Sequence, residues 1–287
     1  MDKNIQTFLA CGAAWAEADT VLFGAPFDGT TSFRPGARFG PPAIRGDSYG
    51  LETYSPVLDL DLADCRVFDG GDLELPFGNP ARVLAQIEEF AARVLDGGKR
   101  FLMLGGEHLV TLGAVRAAAA RHPGLQLLHF DAHADLRDDY LGEPLSHATV
   151  MRRVWELLGD GAIHQFGIRS GEREEFRFAG THTDLHPFDL SDFADSAARL
   201  GDAPVYVSID LDVLDPACFC GTGTPEPGGA AFRELLEAVA HLRGLNLVGA
   251  DVNELSPHYD PSGASTAAAC KITREVLLQL SSQKRRR

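Results

Sequence analysis

Three short segments concentrate the residues that can do chemistry. Asp131-Ala132-His133-Ala134-Asp135 follows the apolar run Gln126 to Phe130, Asp210-Leu211-Asp212 follows Val205 to Ile209, and Gly105-Gly106-Glu107-His108 follows Arg100 to Leu104. Side chains alternate along a strand, so Asp131, His133 and Asp135 point one way past a strand tip, as do Asp210 and Asp212. Two histidines and four aspartates make a mixed nitrogen–oxygen ligand set that suits Mn(II) in particular, and also Fe, Co or Zn. Four crowded carboxylates repel one another unless protonated or neutralised by cations. One divalent ion does not need so many; two ions ~3.5–4 Å apart, sharing carboxylates, do. Taken singly the signals are weaker, because Asp-x-Asp after a strand often serves a turn and a strand-end histidine is usually structural. Asp-x-His-x-Asp beside a buried strand is different, since nothing structural explains that much unpaired charge there. A metal centre built from His108, Asp131, His133, Asp135, Asp210 and Asp212 is therefore expected.

The elements that must position these residues are legible as alternating apolar runs. Strands are expected at Thr20 to Ala25, Arg66 to Phe68, Arg100 to Leu104, Gln126 to Asp131, Ala162 to Gly167, Val205 to Ile209 and Asn246 to Ala250. Amphipathic helical patterns lie between them at Pro80 to Leu95, His108 to Arg121, His147 to Leu158, Phe232 to Leu242 and Ser262 to Gln279. Such alternation predicts an α/β fold with a mainly parallel sheet covered on both faces. Ligands of open α/β sheets bind at the carboxyl ends of strands, which is where the polar clusters fall. No repeat or Pro/Gly/Ser linker divides the chain, so residues 1–287 read as a single domain.

Composition narrows the function. The formal charge of −15 opposes nucleic acid or an anionic membrane as partner and favours small cations and divalent metals. Five scattered cysteines, Cys218 and Cys220 among them, make no disulfide framework and suggest a reducing, cytoplasmic setting. No apolar run approaches the ~18 residues of a membrane helix. Phe8-Leu9-Ala10-Cys11 reads as part of an amphipathic N-terminal helix, and Lys284-Arg285-Arg286-Arg287 as a solvated tail. Gly221 to Gly229 lacks the Gly-Lys-Ser/Thr ending of a phosphate loop.

The three clusters resemble, in order, the metal-binding signatures of the arginase/agmatinase (ureohydrolase) family. The similarity extends over nearly the whole chain, from Gly24-Ala25-Pro26-Phe27-Asp28-Gly29-Thr30-Thr31 to Gly221-Thr222-Gly223-Thr224-Pro225-Glu226-Pro227 and Asp251-Val252-Asn253-Glu254-Leu255-Ser256-Pro257. These stretches, with Ser146-His147 and Tyr259-Asp260, look more like agmatinase than arginase. The resemblance implies a three-layer α/β/α fold, two Mn(II) ions per chain and a trimer or hexamer. It also implies that His108, Asp131, Asp135 and Asp210 hold one ion and His133, Asp131, Asp210 and Asp212 the other, with Asp131 and Asp210 shared. The spacing identifies the six ligands; only the family assigns each to an ion. Ala148 stands where many relatives carry Gly or Ser.

The implied reaction is hydrolysis of a guanidino group to release urea. Two metals sharing a water lower its pKa towards neutrality. Asp135 is expected to orient that water and take its proton. The departing amine needs a proton, and His147 is the candidate shuttle. Glu254, after Asn246 to Ala250, is the candidate carboxylate for the guanidinium N–H groups. The loop from Leu136 to Ser146 carries Asp138, Asp139 and Glu143 against Arg137 alone. Negative charge there favours a substrate with a distal ammonium, agmatine, giving putrescine. The alternatives are aminopropyl-agmatine, guanidinobutyrate, arginine or formiminoglutamate as substrate, a silent metal-binding scaffold, and a one-zinc deacetylase-like enzyme.

Overall fold

A computed structural model describes residues 6–283, so the basic run Lys284 to Arg287 lies outside the described residues. Its strands are β1 (Thr20–Ala25), β2 (Tyr54–Ser55), β3 (Leu60–Asp61), β4 (Val67–Asp72), β5 (Arg100–Gly105), β6 (Gln126–Phe130), β7 (Ile163–Ile168), β8 (Asp184–Pro187), β9 (Pro204–Asp210) and β10 (Asn246–Asn253). The helices are α1 (Gly40–Asp47), α2 (Pro80–Asp96), α3 (Thr111–Arg121), α4 (Val150–Leu158), α5 (Arg173–His182), α6 (Phe193–Arg199), α7 (Phe232–Ala240) and α8 (Ala264–Ser281). Eight strands form one sheet in the order β4-β1-β5-β10-β9-β6-β7-β8, and every pairing is parallel. β2 and β3 pair antiparallel as a separate hairpin.

Both faces of the sheet are buried, which is why its strands read as continuous apolar runs. Along β5, Leu102 and Leu104 enter one core with α1, α6, α7 and α8, while Phe101 and Met103 enter the other with α2, α3 and α4. The result is the expected three-layer α/β/α arrangement. α2 shows how the helices are specified. The Asn79 side chain accepts from Arg82 N at 3.1 Å, Pro80 starts the first turn, and Gly97 and Gly98 end the helix. Val83, Leu84, Ile87, Ala91 and Val94 form its buried face.

The elements absent from the sequence reading are short or polar. β8 is the edge strand Asp-Leu-His-Pro, and α5 begins Arg-Glu-Glu and buries only Glu175 and Ala179. α1 and α6 span eight and seven residues. Two of the three site histidines begin single 3₁₀ turns, His108–Val110 and His147–Thr149, ahead of α3 and α4.

The N-terminal helix expectation is corrected. Residues 6–19 form turns and an extended stretch instead. Ala13 N donates to Val67 O (3.1 Å) and Asp69 N to Cys11 O (3.1 Å), so this stretch covers the exposed edge of β4. Phe8 and Cys11 are buried by it. Asp69 anchors the arrangement, accepting from Phe8 N at 2.8 Å and from Arg45 Nε at 2.9 Å, with Arg45 also paired to Asp72. Removing Asp69 leaves the buried guanidinium with only the partly exposed carboxylate of Asp72 and strips Phe8 N of its acceptor. Asp69→Ala is expected to cost about 3–5 kcal/mol, measured by denaturant unfolding; a loss under about 1 kcal/mol would contradict it.

Candidate metal centre and active site

The four central strands of the sheet, β5, β10, β9 and β6, carry the polar residues just beyond their carboxyl ends. His108 follows β5, Glu254 follows β10, Asp210 ends β9 with Asp212 in the turn after it, and Asp131, His133 and Asp135 follow β6. Adjacent parallel strands therefore bring the six expected ligands and Glu254 to one place.

The ligand atoms form two groups around Asp131. His108 Nδ1 lies 2.9 Å from Asp131 Oδ2, 3.1 Å from Asp135 Oδ2 and 3.4 Å from Asp210 Oδ2. His133 Nδ1 lies 3.5 Å from Asp131 Oδ1 and 3.1 Å from Asp212 Oδ2. Two atoms each about 2.0–2.2 Å from one ion and at right angles to each other are separated by about 3 Å. These separations fit ligands around an ion, and the Asp131 carboxylate turns one oxygen to each group, as a shared ligand does.

The electrostatics make the same point. Burial works against charge on Asp131, but His108, His129 and His133 outweigh it and hold its carboxyl well below the ordinary range. Burial, reinforced by neighbouring carboxylates, pushes Asp135, Asp210 and Glu254 up. His108 and His133 are pushed well above their usual values despite burial, because Asp131 and its neighbours favour the imidazolium. So much buried negative charge calls for positive charge, and divalent ions are suited to supply it.

Asp135 and Glu254 also share a backbone peculiarity. Their φ angles are 53° and 65°, in the left-handed region that non-glycine residues rarely occupy. Such conformations are kept where the surroundings impose them, often at functional sites. Glu254 Oε1 accepts from His108 N at 2.9 Å, tying the residue after β10 to the turn after β5.

His147 stands beside the cluster. Its Nδ1 lies 3.0 Å from Thr30 O, and its Nε2 lies 3.2 Å from Ser32 Oγ. A carbonyl only accepts, so Nδ1 carries the hydrogen and Nε2 keeps its lone pair. Burial and the positive neighbours His133, His108 and Arg137 push its pKa down to about 4. Thr30 is itself held by Glu107, which accepts from Thr30 N (2.9 Å), Thr30 Oγ1 (2.6 Å) and Thr31 Oγ1 (3.1 Å). Burial pushes Glu107 up to about 7.

The sequence reading gave Glu107 no role and did not notice His129. The His129 Nε2 is 2.9 Å from Asp131 Oδ2, and its Nδ1 is 3.0 Å from Gln165 Nε2. Gln165 Nε2 also donates to Ala134 O, which fixes the amide orientation, so His129 accepts at Nδ1 and donates at Nε2 to Asp131. Both ring nitrogens are engaged, so His129 supports the candidate ligand Asp131. An apolar strand interior hides such a residue, because its partner Gln165 sits 36 residues away.

A cavity of about 260 Å³ opens above the cluster, bordered by Ser32, Tyr140, His147, Glu172, Thr224 and Glu254. Here the acidic-loop expectation is corrected. Asp138 pairs with Arg153, and Asp138 and Asp139 border a different cleft. Glu143 pairs through its backbone with Tyr140 and points outward, exposed. From that loop Arg137 and Tyr140 reach the cavity instead. The acidic groups in its outer wall are Glu172 and Glu175, 3.2 and 3.4 Å from Arg137. Two carboxylates against one guanidinium still leave the wall negative. Cys218 and Cys220 are exposed, free and away from the cavity wall.

Comparison with known proteins agrees with this geometry. A profile of the arginase family matches residues 18–279. An agmatinase of Bacillus subtilis (strain 168) is 48% identical over 279 residues, 95% of this chain and 96% of its own length. An N(1)-aminopropylagmatine ureohydrolase of Thermococcus kodakarensis is 40% identical over 262 residues, 88% of each chain. The crystal structure of agmatine ureohydrolase of Thermoplasma volcanium superposes with a TM-score of 0.87 at 34% identity, covering 96% of this chain and 94% of that one. With the match running from before the first strand to near the end of the last helix, this chain belongs to the arginase family.

Proposed function

We propose that this protein hydrolyses agmatine to putrescine and urea at a two-metal centre. The observation that carries the reading is the Asp131 carboxylate, which offers one oxygen to each of two ligand groups beneath a cavity with an acidic wall. Similarity to agmatinases over nearly the whole chain supports the choice of substrate. His108, Asp131, Asp135 and Asp210 would hold one ion, and His133, Asp131, Asp210 and Asp212 the other. When bound, two divalent ions lower the pKa of a shared water towards neutrality; Mn(II) suits this donor set.

The chain's own side chains supply the rest. Glu254 accepts the guanidinium N–H groups and fixes the guanidino carbon over the cluster. Asp135, pushed up by burial and by Asp131, is suited to take a proton from the attacking water. His147, neutral and with its Nε2 lone pair turned towards Ser32 at the cavity, is suited to carry that proton to the departing amine. Glu172 and Glu175 favour a distal ammonium over a distal carboxylate. Glu254→Gln is expected to retain two ions and lose about 2–3 kcal/mol of substrate recognition, roughly 30- to 150-fold in kcat/KM. An unchanged kcat/KM would remove Glu254 from the site.

A trimer or hexamer and a cytoplasmic location complete the proposal. The five free cysteines support a reducing compartment. Among the described residues no helix is long and apolar enough to cross a membrane. The test of substrate is urea release by Mn-loaded protein from agmatine, arginine, guanidinobutyrate and aminopropyl-agmatine at equal concentrations. Preference for agmatine is expected; preference for another guanidine would keep the chemistry and overturn the substrate.

A further inference from the structure

One fully buried carboxylate near the cluster has no part in the chemistry above. Asp251 lies within β10 and contacts none of the cluster's carboxylates or imidazoles through a hydrogen bond of its own. Tyr206 OH at 2.7 Å, Ser208 Oγ at 2.7 Å and Asn253 Nδ2 at 2.6 Å donate to it, and the Thr111 hydroxyl adds a further hydrogen bond. Burial pushes its carboxyl up, while the His108 charge and donation from Tyr206 and Ser208 oppose the shift.

The directions of these bonds can be read from the donor inventory. Ser208 has one hydroxyl hydrogen, and Asp251 takes it. Ser208 Oγ can then only accept from its other neighbours, His108 Nε2 at 2.9 Å and Thr111 Oγ1 at 3.4 Å. Thr111 Oγ1 accepts from Asn253 Nδ2 at 3.1 Å and directs its one hydrogen to Asp251 or Ser208, so it does not compete for the Ser208 acceptor role towards His108. His108 must therefore carry its hydrogen on Nε2. Nδ1, which faces Asp131, Asp135 and Asp210, is then the nitrogen whose proton an ion would displace, the one arrangement in which His108 can ligate.

We propose that Asp251 is a positioning residue that, through Ser208, fixes His108 as the Nε2–H tautomer and so sets the affinity of the ion on the His108 side. The inference rests on the two-metal reading and deepens it. An imidazole ligand commonly donates its other N–H to a fixed acceptor, and loss of that acceptor typically weakens metal binding 10- to 100-fold. Asp251→Asn can reverse the chain, since an amide donates to Ser208 and frees its hydroxyl to point at His108 Nε2. Ser208→Ala deletes that acceptor outright, whereas Asp251→Asn presents a hydrogen in its place, so the effect of Asp251→Asn is at least as large.

The test is Mn(II) titration of metal-stripped wild-type, Asp251→Asn and Ser208→Ala proteins, with the Tm of each metal-free protein measured alongside. One of the two binding steps is expected to weaken, by roughly 10- to 100-fold in Ser208→Ala and by at least as much in Asp251→Asn, while the other step holds and Tm does not track the loss. Unchanged affinity in both variants, or equal weakening of both steps in proportion to Tm, would overturn the proposal. Should Asp251→Asn fail to fold, Ser208→Ala decides alone: no change in either step overturns it. Wild-type binding of two Mn(II) ions and urea release from agmatine are checked in the same series. Their failure would count against the proposed function, whereas failure confined to the variants counts against Asp251.

Discussion

Asp131→Asn abolishes metal binding and urea release together. Asp131 faces both ligand groups, with Oδ2 2.9 Å from His108 Nδ1 and Oδ1 3.5 Å from His133 Nδ1. An amide keeps the volume but removes a full negative charge and one of the two acceptor oxygens. Each group then loses a ligand at once, and the nearby carboxylates lose the cation that relieves their repulsion. Activity is expected to fall by at least about 10³-fold, because several kcal/mol of charge stabilisation depend on the ions. Metal content by elemental analysis should fall well below that of the wild type in the same preparation. A fully active variant that still holds two ions would remove Asp131 from its shared position.

His147→Asn separates proton transfer from metal binding. His147 is positioned by Thr30, through N to Oγ1 (3.1 Å) and Nδ1 to O (3.0 Å), and not by the ligand cluster. Asn can keep a bond to Thr30 but has no ring nitrogen that takes up and releases a proton. Loss of general acid–base assistance typically costs 10²- to 10⁴-fold, so turnover should fall in that range. Metal content should remain near that of the wild type. Loss of the ions in this variant would instead mean that His147 maintains the cluster.

Much of the fold was legible because both sheet faces are buried. Runs such as Phe101 to Leu104 and Val205 to Ile209 are apolar on both sides of the strand and stand out against their flanks. Edge and surface elements carry no such signal: β8 is half polar, and α5 buries little besides Glu175 and Ala179. The N-terminal stretch misled because its apolar residues, Phe8 and Cys11, fill the space beside β4 instead of forming one face of a helix. Local spacing carries no information about an edge that lies some 55 residues further along the chain.

The candidate metal ligands were legible for a simple reason. Asp131, His133 and Asp135 lie within five residues, and strand geometry alone sends them past one tip. The groups that support them come from afar, as with Ser208 to His108 and Gln165 to His129, separated by 100 and 36 residues. Such pairings depend on which strands become neighbours in the sheet. The cavity's acidic wall shows the same limit. Asp138 and Asp139 adjoin the site in sequence yet turn away from it, while Glu172 and Glu175 reach it from the loop and helix after β7. Proximity along the chain was a poor guide to which carboxylates line the cavity.

The most direct test is agmatine turnover against metal equivalents. Metal-stripped protein is titrated with Mn(II), and urea and putrescine are quantified at each point. Equal amounts of urea and putrescine, with turnover rising to its plateau only as the second equivalent per chain binds, are expected. Full turnover with one ion per chain, or no urea with two ions bound, would contradict a two-metal hydrolase of agmatine.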